Sequence, residues 1–121
     1  MHPYNELEVF CKLSVNKADE KLHGTFGRGT VSLLKGVKEL GSLNQAAKRL
    51  NMAYSKAWRL VKEAEAHVGV NLIERKGPHG SDLSPEGQRL LEVYQQVELE
   101  AQALVNIRFR ELLTADKNDT Q

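Results

Sequence analysis

The chain has 121 residues, of which 40% are hydrophobic and 27% charged, and its formal net charge is +1. This length allows one domain, or a small domain with a helical arm. One cysteine excludes an internal disulfide and a cysteine cluster for zinc, and no apolar run is long enough to span a membrane. The charge is uneven: residues 28–76 carry ten Lys/Arg against four Asp/Glu, whereas residues 77–121 carry four against eight. A basic middle of this kind suits a polyanionic partner.

The start of the chain predicts a β-strand followed by a loop. Apolar residues alternate with other residues between positions 7 and 15, as on one face of a strand, and Cys11 is expected to pack there as a small hydrophobe. Residues 16–20 are polar and predict a turn or loop. The first residues lack the basic start and apolar run of a signal peptide, so we expect a cytoplasmic protein.

The first helix is predicted over residues 31–40, and Gly41 is expected to end it. Its apolar stripe consists of Val31, Leu34, Val37 and Leu40. We expect this helix to lie across the back of the two helices that follow, as the third core helix.

A second, short helix is predicted to begin after Ser42, because Ser42 and Gln45 have the spacing of a capping box. The small residues Ala46 and Ala47 would let a neighbouring helix approach closely, as a sharp corner between helices requires. Asn51 tolerates the left-handed backbone conformation, so the helix is expected to end there. Leu43 and Leu50 complete its predicted buried face.

The third helix is predicted to have two different faces. One face should point inward and holds Tyr54, Ala57, Trp58, Val61 and Ala64, with Trp58 as a core anchor. The opposite face holds Ser55, Lys56, Arg59 and Lys62. Short polar residues followed by long cations are what a recognition helix needs for base edges and phosphates. An ordinary solvated cationic face is the alternative interpretation.

A basic β-hairpin is predicted after these helices. Residues 72–76 form its first strand, 77–81 its glycine- and proline-containing tip, and 82–83 its short return. Arg75, Lys76 and His79 would then lie where the wing of a winged helix meets the phosphate backbone or the minor groove. A hairpin that only improves solubility is the alternative.

The last predicted helix begins with Ser84 as its cap and Pro85 in its first turn, and it runs to about Leu113. Its coiled-coil seam consists of Leu90, Tyr94, Val97, Ala101 and Leu104. We expect this seam to pair with a second copy of the chain, and packing of a lone amphipathic helix on its own domain is the alternative. The polar residues 114–121 are expected to be a disordered tail.

These residues resemble a known family. GSLNQAAKRLNMAYSKAW and GVNLIERKGPHGSDLSPEGQRLL look like the N-terminal winged-helix domain of the molybdate-responsive ModE regulators, relatives of the LysR-type regulators. The resemblance covers about Val31 to Leu113 and implies DNA binding and a dimer. Ala53 stands where the family often has a serine that caps the recognition helix. The family's molybdate-binding domains should follow the long helix, where this chain ends, so no oxyanion-binding function is carried over.

Together these patterns predict a mainly α fold with a small β component: a winged helix-turn-helix over residues 1–83 and a long dimerisation helix over 84–113. The expected function is sequence-specific binding of double-stranded DNA by a homodimeric transcriptional regulator without its own effector domain, a separate effector-sensing protein remaining open. The predicted DNA contacts are Ser42, Asn44, Gln45, Tyr54, Ser55, Lys56, Arg59, Lys62, Arg75, Lys76 and His79. No cofactor, metal site or enzymatic activity is expected. The alternatives are a protein-interaction adaptor that no longer binds DNA, and a dimer that senses an oxyanion.

Overall fold

A computed structural model describes residues 5–18 and 26–119 of the chain. The elements in chain order are helices α1 (Arg28–Leu40), α2 (Leu43–Arg49) and α3 (Tyr54–Val68), strands β1 (Ile73–Arg75) and β2 (Ser81–Leu83), and helix α4 (Pro85–Asp119). The chain divides into two compact units, one of residues 13–93 and one of residues 1–12 with 94–121. Within the described ranges, no helix is long and apolar enough to cross a membrane. The predicted fold class, mainly α with a small β component, is confirmed.

Three helices form the core of the first unit. Helix α1 begins three residues before its predicted start, and Gly41 ends it in the left-handed conformation, as predicted. Helices α1 and α2 approach closely at Gly36, where an added Cβ would lie 2.5 Å from the Cβ of Ala46. Ala46 and Ala47 are buried, as predicted, but the close contact of Ala46 is with α1 and not with the following helix, for which the sequence predicted it. The counterpart of Ala46 on α1 is a glycine because only a residue without a side chain fits there.

The buried residues of α1 and α2 differ in part from those that the sequence predicts. Leu40 and Leu50 were expected inside but are exposed, because each stands at the end of its helix, where the chain turns away from the core. Phe26 and Leu33, which the predicted stripes did not include, are fully buried. The helical pattern therefore identifies most of the buried face, but it extends the face too far at the helix ends and omits Leu33.

The predicted wing is present as a two-stranded antiparallel sheet. Its register pairs Ile73 with Leu83 and Arg75 with Ser81. The tip between the strands contains a 3-10 turn, Gly77–His79, so the prediction that glycine and proline leave the tip no helical conformation is wrong. A proline early in that turn is compatible with it, since the missing N–H is not needed at the start of a helix.

Helix α4 has 35 residues and spans roughly 52 Å at 1.5 Å per residue. Ser84 caps it as predicted, because its side-chain oxygen accepts a hydrogen bond from the backbone N–H of Gly87 at 2.9 Å. The prediction of a disordered tail is wrong for residues 114–119, which continue the helix. This stretch contains neither glycine nor proline to end it. Residues 120–121 lie outside the described part of the chain.

The predicted N-terminal strand does not form in the described part of the chain. Residues 7–14 make no β-ladder, and the pairing there is an isolated antiparallel bridge between Val15 and Phe26. In the polar loop expected over residues 16–20, residues 16–18 have no regular structure beyond a turn at residue 18, and 19–20 lie outside the described ranges.

Within the second unit, side chains of α4 hydrogen-bond to the backbone of residues 9–11, where a neighbouring strand would otherwise do so. The backbone N–H of Val9 donates to Asn106 Oδ1 at 2.7 Å, and that of Cys11 donates to Gln102 Oε1 at 3.1 Å. Gln102 Nε2 in turn donates to the carbonyl of Val9. Four helical residues rise about 6 Å and two extended residues about 6.6 Å, so side chains spaced by four on a helix can meet alternate residues of an extended segment. Three backbone groups of this segment are thereby hydrogen-bonded without a sheet.

Candidate nucleic-acid interface

The turn between α2 and α3 fixes the angle between the two helices. Asn51 adopts a left-handed backbone conformation with φ of 54°, as the sequence predicts. The backbone N–H of Met52 donates to the carbonyl of Ala47 at 2.9 Å, which closes the turn. The capping bond expected at the start of α2 is also present, since the N–H of Gln45 donates to Ser42 Oγ at 3.2 Å. Ala53 gives α3 no side-chain cap.

The outward face of α3 carries the polar residues predicted to contact DNA. All five of these residues are exposed: Tyr54, Ser55, Lys56, Arg59 and Lys62. The guanidinium of Arg59 lies 3.3 Å from the carboxylate of Glu63, one turn further along the helix. Exposed ion pairs of this kind contribute only about 0.2–1 kcal/mol, so Arg59 can leave Glu63 for a base or a phosphate at little cost.

The inward face of α3 is only partly as predicted. Ala57, Val61 and Ala64 are buried, whereas Tyr54 is 45% exposed and Trp58 is half-buried. The prediction that Tyr54 and Trp58 point into the core is therefore wrong. The two rings instead lie together at the surface, where the indole N–H of Trp58 donates to the hydroxyl of Tyr54 at 2.6 Å. In the core, the indole N–H would need a hydrogen-bond acceptor there. Here its acceptor is the hydroxyl of Tyr54, on the same helix.

The wing is docked on the helix-turn-helix by its backbone. The N–H of Ser81 donates to the carbonyl oxygen of Gly41, which ends α1, at 2.9 Å. Gly80 has a φ of +95°, and an added Cβ would meet that same oxygen. Glycine is favoured at position 41 because its backbone is in the left-handed conformation. At position 80 it is favoured by a positive φ and also because a Cβ there would clash with the carbonyl oxygen of Gly41.

A buried carboxylate ties the start of β1 to α3. Glu65 is 8% exposed, and its Oε2 accepts hydrogen bonds from the backbone N–H groups of Leu72, at 2.8 Å, and Ile73, at 3.4 Å. Its Oε1 lies 3.3 Å from the ammonium of Lys62. The sequence did not indicate this role of Glu65, because a glutamate on a helix rich in charged residues is usually exposed to solvent.

Two clefts bring predicted contacts from different elements together. The first, of about 170 Å³, places Ser42 and Asn44 of the α2 start beside Tyr54 and Arg75. The second, of about 470 Å³, is lined by residues of α3 and the wing: Ser55, Trp58, Arg59, Lys62 and Arg75. Arg75 lies between the two clefts. Four other predicted contacts are exposed and line neither of these clefts: Gln45, Lys56, Lys76 and His79.

No group of three or more His, Cys, Asp or Glu side chains is placed to hold a metal ion within the described ranges. The polar groups of the two clefts are instead cations, hydroxyls and amides. Such groups bind the phosphates and base edges of nucleic acids.

The three-helix core, the tight turn and the docked two-stranded hairpin define a winged helix-turn-helix domain. The family profile described as "Bacterial regulatory helix-turn-helix protein, lysR family" matches residues 30–88. The chain therefore carries a LysR-type helix-turn-helix DNA-binding domain, and the resemblance inferred from the sequence is confirmed for this domain.

Individual relatives agree with this assignment. The DNA-binding transcriptional dual regulator ModE of Escherichia coli is 37% identical over 68 residues, which is 53% of this chain and 26% of that protein. ModE of Haemophilus influenzae is 35% identical over 72 residues, or 56% of this chain and 28% of that protein. Each match thus spans about a quarter of the relative's length. The structure of the CbnR DNA-binding domain in complex with DNA is similar with a TM-score of 0.57 and 29% identity, over 70% of this chain and 95% of that one.

Proposed function

We propose that the chain is a sequence-specific, duplex-DNA-binding transcriptional regulator whose interface is the exposed face of α3 together with the wing. The supporting observation is that Arg75 of the wing lies in one cleft with the cations of α3 and in another with the start of α2. Three segments therefore present donors and positive charge side by side. The excess of cations in residues 28–76, a net of +6, points the same way.

The individual roles follow from where each side chain lies. We propose base contacts for residues on the first turns of α3, which would enter the major groove: Tyr54, Ser55, Lys56 and Arg59. Phosphate contacts are proposed for the α2 start and the later part of α3: Ser42, Asn44, Gln45 and Lys62. The wing residues Arg75, Lys76 and His79 would meet the adjacent backbone or the minor groove. Lys62 suits a phosphate because Glu65 already holds its ammonium in place.

Binding to a random-sequence duplex of about 30 base pairs tests this proposal without knowledge of the operator. Fluorescence anisotropy at about 50 and 200 mM salt should show affinity falling about 10³-fold or more if six or more phosphates are contacted. Lys62→Gln should reduce the salt dependence. Lys35→Gln removes an exposed cation from α1, outside the proposed interface, and should leave it unchanged. Absence of binding by folded protein at low salt would reject the proposal in favour of the adaptor.

We also propose that the chain acts as a homodimer through α4. Within the second unit, Val97, Leu104 and Ile107 share one face of the helix and are 49%, 65% and 58% exposed. Ala101 is half-buried and Tyr94 is only 4% exposed, so the proposed interface shifts from the predicted seam towards Ile107. A second copy is the expected occupant, because two-fold pairing would cover the same stripe on both chains and would present two recognition helices to an inverted repeat.

Light scattering measures the predicted mass directly. The wild-type chain should give twice the mass of 13.6 kDa at micromolar concentration. Leu104→Glu should give the monomer mass, because it places a charge in the middle of the apolar stripe. Glu98→Gln alters a residue of the same helix that lies at least about 100° around the helix axis from each residue of the stripe, and should not change the mass. A monomeric wild type would reject the dimer and leave the DNA-binding proposal standing.

A further inference from the structure

Trp58 is the point at which the recognition helix and the wing meet. Its ring stands edge-to-face with that of Tyr54, with centroids 6.4 Å apart and an angle of 82° between the planes. The indole N–H can only donate, so the hydroxyl of Tyr54 must be the acceptor in the 2.6 Å hydrogen bond between them. The hydroxyl proton of Tyr54 is then directed elsewhere. The pair thus presents an O–H donor at the start of α3.

Two cations from different elements lie over the same indole ring. The guanidinium carbon of Arg75, at the end of β1, is 4.6 Å from the ring centroid, and the ammonium of Lys62 on α3 is 5.0 Å from it. Both distances are within the range over which the negative face of an aromatic ring attracts a cation. One side chain therefore positions three groups that the proposed interface uses: the hydroxyl of Tyr54 and the two cations.

The strand that carries Arg75 is held at both of its ends. Glu65 accepts the backbone N–H groups of Leu72 and Ile73 at its start, and Trp58 holds Arg75 at its end. Both holding residues belong to α3, so the wing strand is tied to the recognition helix at two points. A long cation that is already held in place loses less conformational entropy when it binds a phosphate.

We infer that Trp58 is a positioning residue for DNA binding, acting through Tyr54, Lys62 and Arg75. This inference rests on the proposed function. It assigns to Trp58 a role that neither a core anchor nor a direct base contact would have: the ring sets the direction of one donor and holds cations from two elements. The three groups that Trp58 positions are all hydrogen-bond donors, so they would bind phosphate oxygens and the acceptor atoms of base edges.

The chain has a single tryptophan, so its fluorescence reports on this site alone. We expect the emission of the wild-type protein to change on addition of a random-sequence 30-base-pair duplex, in step with the anisotropy of the labelled DNA. The change would arise because phosphates approach the cations that lie on the ring and displace water around the indole. Unchanged emission at saturating DNA would place Trp58 away from the interface and overturn the inference.

Substitutions then separate positioning from folding. Trp58→Leu should bind the duplex about five- to twentyfold more weakly, since both cation contacts are lost. Trp58→Phe keeps an aromatic ring but not the N–H donor, and its affinity for the duplex should lie between those of Trp58→Leu and the wild type. Because the ring is half-buried, Trp58→Leu should lower the melting temperature, so affinities are compared at a temperature at which every variant is folded. Phe10→Leu removes a 75% exposed ring from the other unit and should leave affinity unchanged.

A double-mutant cycle provides the decisive comparison. If Trp58 acts partly through Arg75, the double variant should lose less binding free energy than Trp58→Leu and Arg75→Gln lose together, because the part transmitted through Arg75 is lost only once. Additive losses would overturn the inference. So would equal affinity of Trp58→Leu and wild type, or an affinity loss explained entirely by reduced stability. A wild-type chain that binds no DNA would instead reject the proposed function itself.

Discussion

Replacing Glu65 tests how the wing is attached to the helical core. In Glu65→Ala the backbone N–H of Leu72, a fully buried residue, loses a 2.8 Å hydrogen bond to a carboxylate. Such a bond is worth about 1.5–3 kcal/mol when the donor is left unsatisfied. The N–H of Ile73 lies 3.4 Å from the same oxygen, a longer bond that adds less. We therefore expect the free energy of unfolding to fall by about 2–4 kcal/mol.

Urea denaturation followed by circular dichroism measures this loss, and two further variants locate its origin. Glu65→Gln keeps an oxygen that can accept from Leu72 and should cost about 1 kcal/mol. Lys62→Ala removes the 3.3 Å ion pair but not the backbone hydrogen bonds. Because Lys62 is well exposed, this variant should cost no more than about 1 kcal/mol. A loss below about 0.5 kcal/mol in Glu65→Ala, or equal losses in Glu65→Ala and Lys62→Ala, would refute the reasoning.

Three further changes test other parts of the molecule. Arg59→Ala should lose about 1–3 kcal/mol of binding energy on a selected operator and less on random DNA; equal losses would identify Arg59 as a phosphate contact. Gly80→Ala would press a methyl group against a backbone carbonyl oxygen at a φ of +95°. In Gly77→Ala, at a φ of +61°, the added Cβ meets open space, so Gly80→Ala should lower the melting temperature more than Gly77→Ala does. Gln102→Leu removes the amide that holds residues 9–11, so chymotrypsin should cut after the exposed Phe10 faster than in wild type; an unchanged cleavage rate would show that the amide does not hold the segment.

Local signals predicted the helices and turns well, because each depends on hydrogen bonds between residues a few positions apart. Ser42 and Ser84 cap helices where the sequence indicates, and Gly41 and Asn51 adopt the left-handed conformations expected of them. The same local reasoning failed for the N-terminal strand. An alternating pattern shows that a segment is extended, but it does not show what satisfies the backbone. Here side chains of α4, such as Gln102, do so.

The position of Trp58 shows a second limit of the sequence. A tryptophan in phase with buried residues predicts a core position, and Ala57 and Val61 beside it are indeed buried. The wing supplies Arg75 from 17 positions further along the chain, and the half-buried ring contacts both that cation and Lys62. Helical periodicity predicts which side of a helix is buried, but it cannot predict a contact with a side chain from another element of the fold.

The winged helix-turn-helix could be predicted from the residues alone, because helical periodicity, caps and turn glycines are all local properties. How the groups proposed to contact DNA are held depends on tertiary contacts. The buried carboxylate of Glu65, the ring of Trp58 and the docking of Gly80 against Gly41 each join residues of different elements. The physical reason is that their stabilisation comes from desolvated or precisely spaced contacts, whose partners are defined only once the chain has folded.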